Sequence, residues 1–251
     1  MLIGVIARNT AREAMRSRSF IILVVLYAVG VLLAPVVGWI SATDGRVVTT
    51  DIVFSLLSVI GVLVAVATGT ALVHNEIQQR TLYTVLSRPL PRWQFVVGKY
   101  CGLCLALIVG LGAMLAVALI GLFLFGSTVH GYLVLAGLLV MGEVCLMAAV
   151  SLCWTALSSP LLAAVLSLAT YALGHAVATL PHYIDHLEHW QRWIAIALAS
   201  LIPNLGGFAY RNRAVYGEPP GEAEAWAVVY GLLWAVFLVT ITIAVLRRKQ
   251  L

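Results

Sequence analysis

Charge is what this chain has least of. Only 10% of its 251 residues are Asp, Glu, Lys or Arg, against 62% hydrophobic ones, and the mean hydropathy is +1.03. Water-soluble domains carry about 25% charge, so that class is excluded and a polytopic membrane protein is expected. Cysteine is scarce too, at four residues. Cys101, Cys104, Cys145 and Cys153 lie scattered in or beside apolar runs, which excludes a disulfide framework. Cys101-x-x-Cys104 opens an apolar run instead of following a strand, so it reads as helix packing and not as a redox pair. A G-x-x-x-x-G-K-[ST] phosphate loop is missing as well: Gly98-Lys99 is followed by Tyr100, which excludes a direct nucleotide-hydrolysing role of that type.

What is present is a series of apolar runs. Candidate spans are Phe20 to Ile40, Ile52 to Val73, Tyr100 to Phe125, Tyr132 to Leu157, Leu161 to Leu180 and Trp226 to Leu246. Each approaches or exceeds the ~20 residues that cross ~30 Å of hydrocarbon. The expected fold class is therefore all-α, with six transmembrane helices. The first run follows Arg8, Arg12, Arg16 and Arg18 but is too long for the apolar core of a signal peptide, so it is read as a retained span. Residues 1–19 form a separate unit before the transmembrane domain of residues 20–251. On a helical wheel Arg8, Arg12 and Arg16 share one side, with Ile3, Ile6, Ala7 and Ala14 opposite. That pattern predicts an interfacial elbow helix with its apolar side in the acyl boundary, the alternative being a plain charged flank of the first span.

The basic residues set the orientation. Eleven of the fifteen fall in three places: Arg8, Arg12, Arg16 and Arg18; Arg80, Arg88, Arg92 and Lys99; and Arg247, Arg248 and Lys249. The other side holds seven of the ten acids: Asp44, Asp51, Asp185, Glu188, Glu218, Glu222 and Glu224. The positive-inside rule places both termini and the connection between spans two and three in the cytoplasm. With the basic residues used for orientation, no patch is left for nucleic acid. On the outer side, residues 181–225 form a long connection whose stretch Trp193 to Ile202 is too short to cross and ends at Pro203-Asn204-Leu205-Gly206-Gly207. It is expected to hold re-entrant or interfacial helices.

The connection from Glu76 to Lys99, EIQQRTLYTVLSRPLPRWQFVVGK, is the informative one. Ile77, Thr81, Leu82, Val85 and Leu86 form a stripe at helical spacing. Glu76 precedes Arg80 by four residues, the better orientation for a helix ion pair. Pro89 ends this helix, Pro91 suits the start of the next, and Arg92-Trp93 is a cationic and aromatic pair of the kind found in the headgroup layer. Gly98 and Gly102 then stand at small-xxx-small spacing, which permits close helix packing.

The string E-I-x-x-x-T-L-x-x-x-L-S-R-P-L-P-R-W-x-F-x-x-G-K, carried by Glu76, Thr81, Leu86, Ser87, Arg88, Pro89, Arg92, Phe95, Gly98 and Lys99, resembles the coupling region of type-2 ATP-binding-cassette (ABC) exporter permeases. Within that family it most resembles the branch associated with multicopper-enzyme maturation. The arginine-rich elbow, six spans, outer P-N-L segment and basic tail are similar to the same plan. The resemblance implies a permease subunit in a bacterial inner (plasma) membrane, paired with itself or a related permease and with two copies of a separate ABC ATPase. ATP and Mg would then sit on that partner, and this chain would bind no cofactor. It further implies that Glu76, Ile77, Arg80, Thr81, Leu82, Val85, Leu86 and Arg88 dock the ATPase, while Arg8, Arg12, Arg16, Arg92 and Trp93 meet the membrane lipids.

Other residues carry candidate chemistry. Glu143 is the one acid inside an expected span, roughly 15 Å deep at 1.5 Å per residue. Placed there, it is expected to face a cavity or a partner, or to be protonated, and His175 is a possible partner in a transport pathway. His182, His186 and His189 share one helical face, the best metal-ligand pattern in the chain, although His is equally at home in a membrane interface. Two other classes remain as alternatives: an intramembrane lipid-modifying enzyme, disfavoured because the spans hold Glu143 and His175 almost alone, and a non-transporting scaffold or regulatory subunit of an ATPase complex.

Overall fold

The computed structural model describes residues 2–41, 44–78, 92–127, 129–180 and 189–248, and every regular element among them is helical. The elements are α1 (Leu2–Arg16), α2 (Arg18–Ile40), α3 (Gly45–Gln78), α4 (Arg92–Leu124), α5 (Gly131–Leu157), α6 (Pro160–Thr179), α7 (His189–Ser200), a 3₁₀ turn (Gly206–Phe208), α8 (Arg211–Ala214) and α9 (Glu222–Arg248). Six of them, α2 to α6 and α9, are long and apolar enough to cross a membrane. The physical reason is that a chain in lipid must satisfy its N–H and C=O groups internally, which a helix does within one segment.

Helix ends follow local chemistry. Ser17 caps α2, its Oγ accepting from the Phe20 N–H at 3.2 Å. Pro160 occupies the first turn of α6, where its missing N–H costs nothing. Gly126 and Gly217 take φ of 71° and 75° in the far-end connections, a left-handed conformation that a Cβ resists. Two helices run past the expected spans. At 34 and 33 residues, α3 and α4 are each about 50 Å long, well beyond a ~30 Å hydrocarbon core.

The spans are not equivalent. Over its apolar window α5 is 72% buried and α3 67%, against 28% for α2, 22% for α9 and 17% for α6. α5 is thus the axis, packed by α3, α4, α6 and α9, and glycines set the close approaches. Gly61 of α3 meets Val144 and Leu111, and Gly137 of α5 meets Leu115.

The glycine pair Gly98 and Gly102 has a specific partner. Gly98 lies against Ile6, and Gly102 against Ala7 and Thr10, so α1 packs backbone-close along α4. Thr10, Ala11 and Ala14 are buried there, while Arg8, Arg12 and Arg16 are exposed. Small residues on both helices thus let α4 cover the Thr10, Ala11 and Ala14 side of α1.

The end of the bundle away from α1 is closed by the segment between α7 and α9. The Leu205 N–H donates to the Gly174 carbonyl at 3.1 Å, and the Asn204 N–H donates to Tyr230 Oη at 2.9 Å. Phe208, 1% exposed, fits between Gly142 of α5 and Gly231 of α9. Those glycines lie about 17 Å and 14 Å along their helices from the far ends, at 1.5 Å per residue. The cap therefore reaches well into the bundle. Its rim is fastened by the Arg213–Glu224 ion pair and by Glu224 Oε2 accepting from the Gly221 N–H at 2.7 Å.

Candidate functional site

Most hydroxyls in the spans spend their proton on their own helix. Thr68, Thr70, Thr155 and Ser167 each donate to a carbonyl four residues back, at 2.5–2.7 Å, which satisfies the group and ties no helices together; Thr170 donates to its own helix in the same way but also accepts from Trp154 Nε1 of α5 at 3.2 Å. Ser58 of α3 and Tyr171 of α6 behave differently, and the reason is Glu143.

Glu143 is 1% exposed at the centre of α5, adjacent to the Gly142 notch that receives Phe208. Its Oε1 lies 2.8 Å from Nε2 of His175. Its Oε2 accepts from Ser58 Oγ at 3.2 Å, and Ser58 Oγ lies 2.9 Å from the Tyr171 hydroxyl. Ser58 has one proton to give, and it goes to the carboxylate, so Tyr171 donates to Ser58. The order of donation is Tyr171 to Ser58 to Glu143, with His175 Nε2–H closing the other carboxylate oxygen. Tyr171 and His175, one turn apart on α6, also stack edge to face at 4.8 Å. One network joins α3, α5 and α6.

Its electrostatics explain its completeness. A carboxylate deep in an apolar bundle is held only when it is paired and hydrogen-bonded. Both oxygens of Glu143 are occupied. The spacing reading identified Glu143 and His175 and left their relation open; the structure puts them in contact. It did not find Ser58 or Tyr171. Tyr171 and His175 at i and i+4 on one face are a usable signal, whereas nothing local distinguishes Ser58 from the hydroxyls that fold back on their own helices.

At the opposite end, Glu76 and Ile77 fall in the last turns of α3, and Arg92 opens α4. Arg80, Thr81, Leu82, Val85, Leu86 and Arg88 lie outside the described residues. Trp93 is 41% exposed on the first turn of α4. Lys99 is 5% exposed: its Nζ donates to the Leu72 carbonyl of α3 at 3.0 Å and sits 5.3 Å from the Phe95 ring. A basic residue counted among those orienting the chain is thus built into the α3/α4 contact, directly above the connection.

Of the histidine triad, His182 and His186 lie outside the described residues. His189 is exposed on α7, and its Nε2 accepts from Trp193 Nε1 at 3.3 Å, with the rings edge to face. Among the described residues no group of three or more His, Cys, Asp or Glu side chains is placed to hold a metal ion. The four cysteines are free. Cys101 is exposed and Cys153 buried, with Cys104 and Cys145 between.

Compared with known families, residues 5–182 match the model described as ABC-2 family transporter protein. The match spans α1 to α6 and names no branch within the family. No curated protein matches the chain.

Proposed function

The chain belongs to the ABC-2 transporter family, and from that premise we propose that it is the permease subunit of an ABC exporter. The observation that carries the reading is the family match over residues 5–182 on a bundle with six membrane-length helices. In this reading the protein sits in a bacterial inner membrane with both termini cytoplasmic, as the distribution of basic residues favours. It pairs with itself or a related permease and with two copies of a separate ABC ATPase, which carries the ATP and Mg.

The energy enters at residues 76–99. Glu76, Ile77, Arg80, Thr81, Leu82, Val85, Leu86 and Arg88 dock the ATPase. Both helices that emerge from this connection run on far into the bundle, and Lys99 binds one to the other at its base. A displacement of the connection is therefore delivered to α3 and α4 as a pair. The exposed arginines of α1 meet lipid phosphates, and α1 rides on α4 through Gly98 and Gly102. Motor closure opens the far end, with Glu143 and His175 on the path, in alternating access.

The test is assembly. A tagged copy expressed with the ABC ATPase encoded beside it should co-purify that ATPase and stimulate or restrain its ATP hydrolysis. Leu82→Asp with Leu86→Asp should abolish both effects while the protein remains in the membrane. An ATPase that neither binds nor changes its turnover would overturn the assignment.

A further inference from the structure

Helix α1 hides one side and offers the other. Thr10, Ala11 and Ala14 are buried against α4. The side chains left exposed are Val5, Arg8, Asn9, Arg12, Glu13 and Arg16, so this arc holds one large apolar group and sets three arginines against one glutamate. Arg8, Arg12 and Arg16 follow one another at four-residue intervals, a row with steps of about 6 Å. Among the described residues none of the three forms an ion pair or a side-chain hydrogen bond. The helices packed on α1 supply little counter-charge. α2 and α4 contain no acid. α3 contains Asp51, near its far-end start, and Glu76, which belongs to the connection assigned to the ATPase. A row of guanidiniums held outward on a packed support, without acids to neutralise it, is a surface for an external anion.

The position of the row selects the anion. Only Ser17 separates α1 from α2, and Arg16 and Arg18, both exposed, flank it just before the apolar run begins at Phe20. Basic residues beside a span meet the headgroup layer, and a cytoplasmic leaflet rich in anionic lipid attracts them. We propose that Arg8, Arg12 and Arg16 dock anionic phospholipid headgroups of that leaflet, and that this contact regulates how well the ATPase drives the spans. The proposal rests on the permease reading above and deepens it: the ligand is a headgroup of net negative charge, not the bilayer in general. The route to the motor is short. Ile6, Ala7 and Thr10 seat on Gly98 and Gly102, and Lys99 between those glycines ties α4 to the Leu72 carbonyl of α3. A headgroup that fixes α1 therefore steadies the common base of α3 and α4, against which the 76–99 connection works. The magnitude follows from charge. Each basic residue beside an anionic surface strengthens binding about fivefold. Three give about a hundredfold, and Glu13 on the same arc returns about one factor of five, which leaves a preference of about twentyfold over a zwitterionic headgroup.

Binding is read without the motor, by native mass spectrometry of the purified full-length permease titrated with phosphatidylglycerol or with phosphatidylcholine of the same acyl chains. The parent should hold its tightest phosphatidylglycerol about twentyfold more firmly than phosphatidylcholine. R8Q/R12Q/R16Q should reduce that preference below about twofold, R8K/R12K/R16K should largely keep it, and Glu13→Gln should raise it about fivefold. Arg46→Gln, exposed at the far end, should leave it unchanged. Regulation is read as the effect of the permease on ATPase turnover in nanodiscs of phosphatidylcholine alone or with about a third phosphatidylglycerol. That effect should be about fivefold larger with phosphatidylglycerol for the parent and the same in both lipids for R8Q/R12Q/R16Q. A preference that survives the three glutamines, or one that Glu13→Gln does not raise, overturns the docking. Loss of the ATPase from R8Q/R12Q/R16Q in lipid-free detergent overturns it as well, because the row would then be a protein contact. Should that variant fail to assemble, the Glu13→Gln gain alone carries the test, and its absence overturns the proposal. Equal, non-zero effects of the parent in the two nanodiscs overturn the regulation. A parent that changes ATPase turnover in neither lipid sinks the permease reading instead, and the motor-free binding measurement still decides the docking.

Discussion

Ser58→Ala isolates the energetics of the buried network with almost no change of volume. The hydroxyl makes two contacts, donating to Glu143 at 3.2 Å and accepting from Tyr171 at 2.9 Å. Neutral interhelical hydrogen bonds in membrane proteins average about 0.6 kcal/mol, whereas a bond to a charged group is worth about 1.5–3 kcal/mol. The sum for Ser58 is about 2–3.5 kcal/mol. Removing the hydroxyl also leaves Glu143 Oε2 buried without that donor, which places the effect toward the upper end. In Glu143→Gln both contacts become neutral, and the cost of Ser58→Ala should fall to about 1 kcal/mol. The assay is reversible unfolding in mixed detergent and SDS micelles, run as a double-mutant cycle so that the coupling is read directly. Thr240→Ala, whose hydroxyl donates only to the Val236 carbonyl of its own helix, is the control and should lie within about 0.5 kcal/mol of the parent. A Ser58→Ala cost below about 1 kcal/mol, or one that is the same with Gln at position 143, would refute the charge-centred account of the network.

Three further outcomes are expected. Gly102→Leu drives a side chain into Ala7 and Thr10 of α1; overpacking costs about 1–3 kcal/mol, and α1 should detach, exposing Arg12 and Arg16 to trypsin faster than in the parent. Equal cleavage rates would mean that α1 is not held by this contact. Phe208→Ala empties the notch between Gly142 and Gly231 and should cost about 3–5 kcal/mol in the same unfolding assay; a loss under 1 kcal/mol would show that the cap is not seated there. Lys99→Met keeps the apolar stem and deletes the donor to the Leu72 carbonyl, with an expected loss of about 1.5–3 kcal/mol. Protein as stable as the parent would show that Lys99 does not bind α3 to α4.

The legible part of the chain was written in local pattern. Apolar runs of about 20 residues with 10% charge overall point to membrane-spanning helices, because a run of that length satisfies its own backbone in lipid as a helix, whereas a barrel strand needs only about 10 residues of alternating pattern. Pro160 and Ser17 mark helix starts wherever they stand. Glu143 could be singled out alone because a carboxylate in a span is costly at almost any depth, so its presence demands an explanation before the fold is known. The Gly98 and Gly102 spacing announced a close helix contact, but the identity of the contacting helix was not local information. Small residues say that something approaches, and only the packed chain says that it is α1.

What the tertiary structure decided is which groups meet. Ser58, Glu143 and Tyr171 are separated by tens of residues, and no spacing rule relates them. Their hydroxyls are chemically the same as those of Thr68 or Ser167, which serve only their own helices. Glycines at 142, 174 and 231 have no pattern along the chain, yet together they make the space that lets the cap sink to the level of the carboxylate. The sequence by itself determined that this protein spans a membrane six times and carries one acid inside a span, because hydrophobicity and desolvation act residue by residue. The partners of that acid, and the closure of the far end around it, were decided only in three dimensions, because hydrogen bonds and packing act between residues that the chain does not place together.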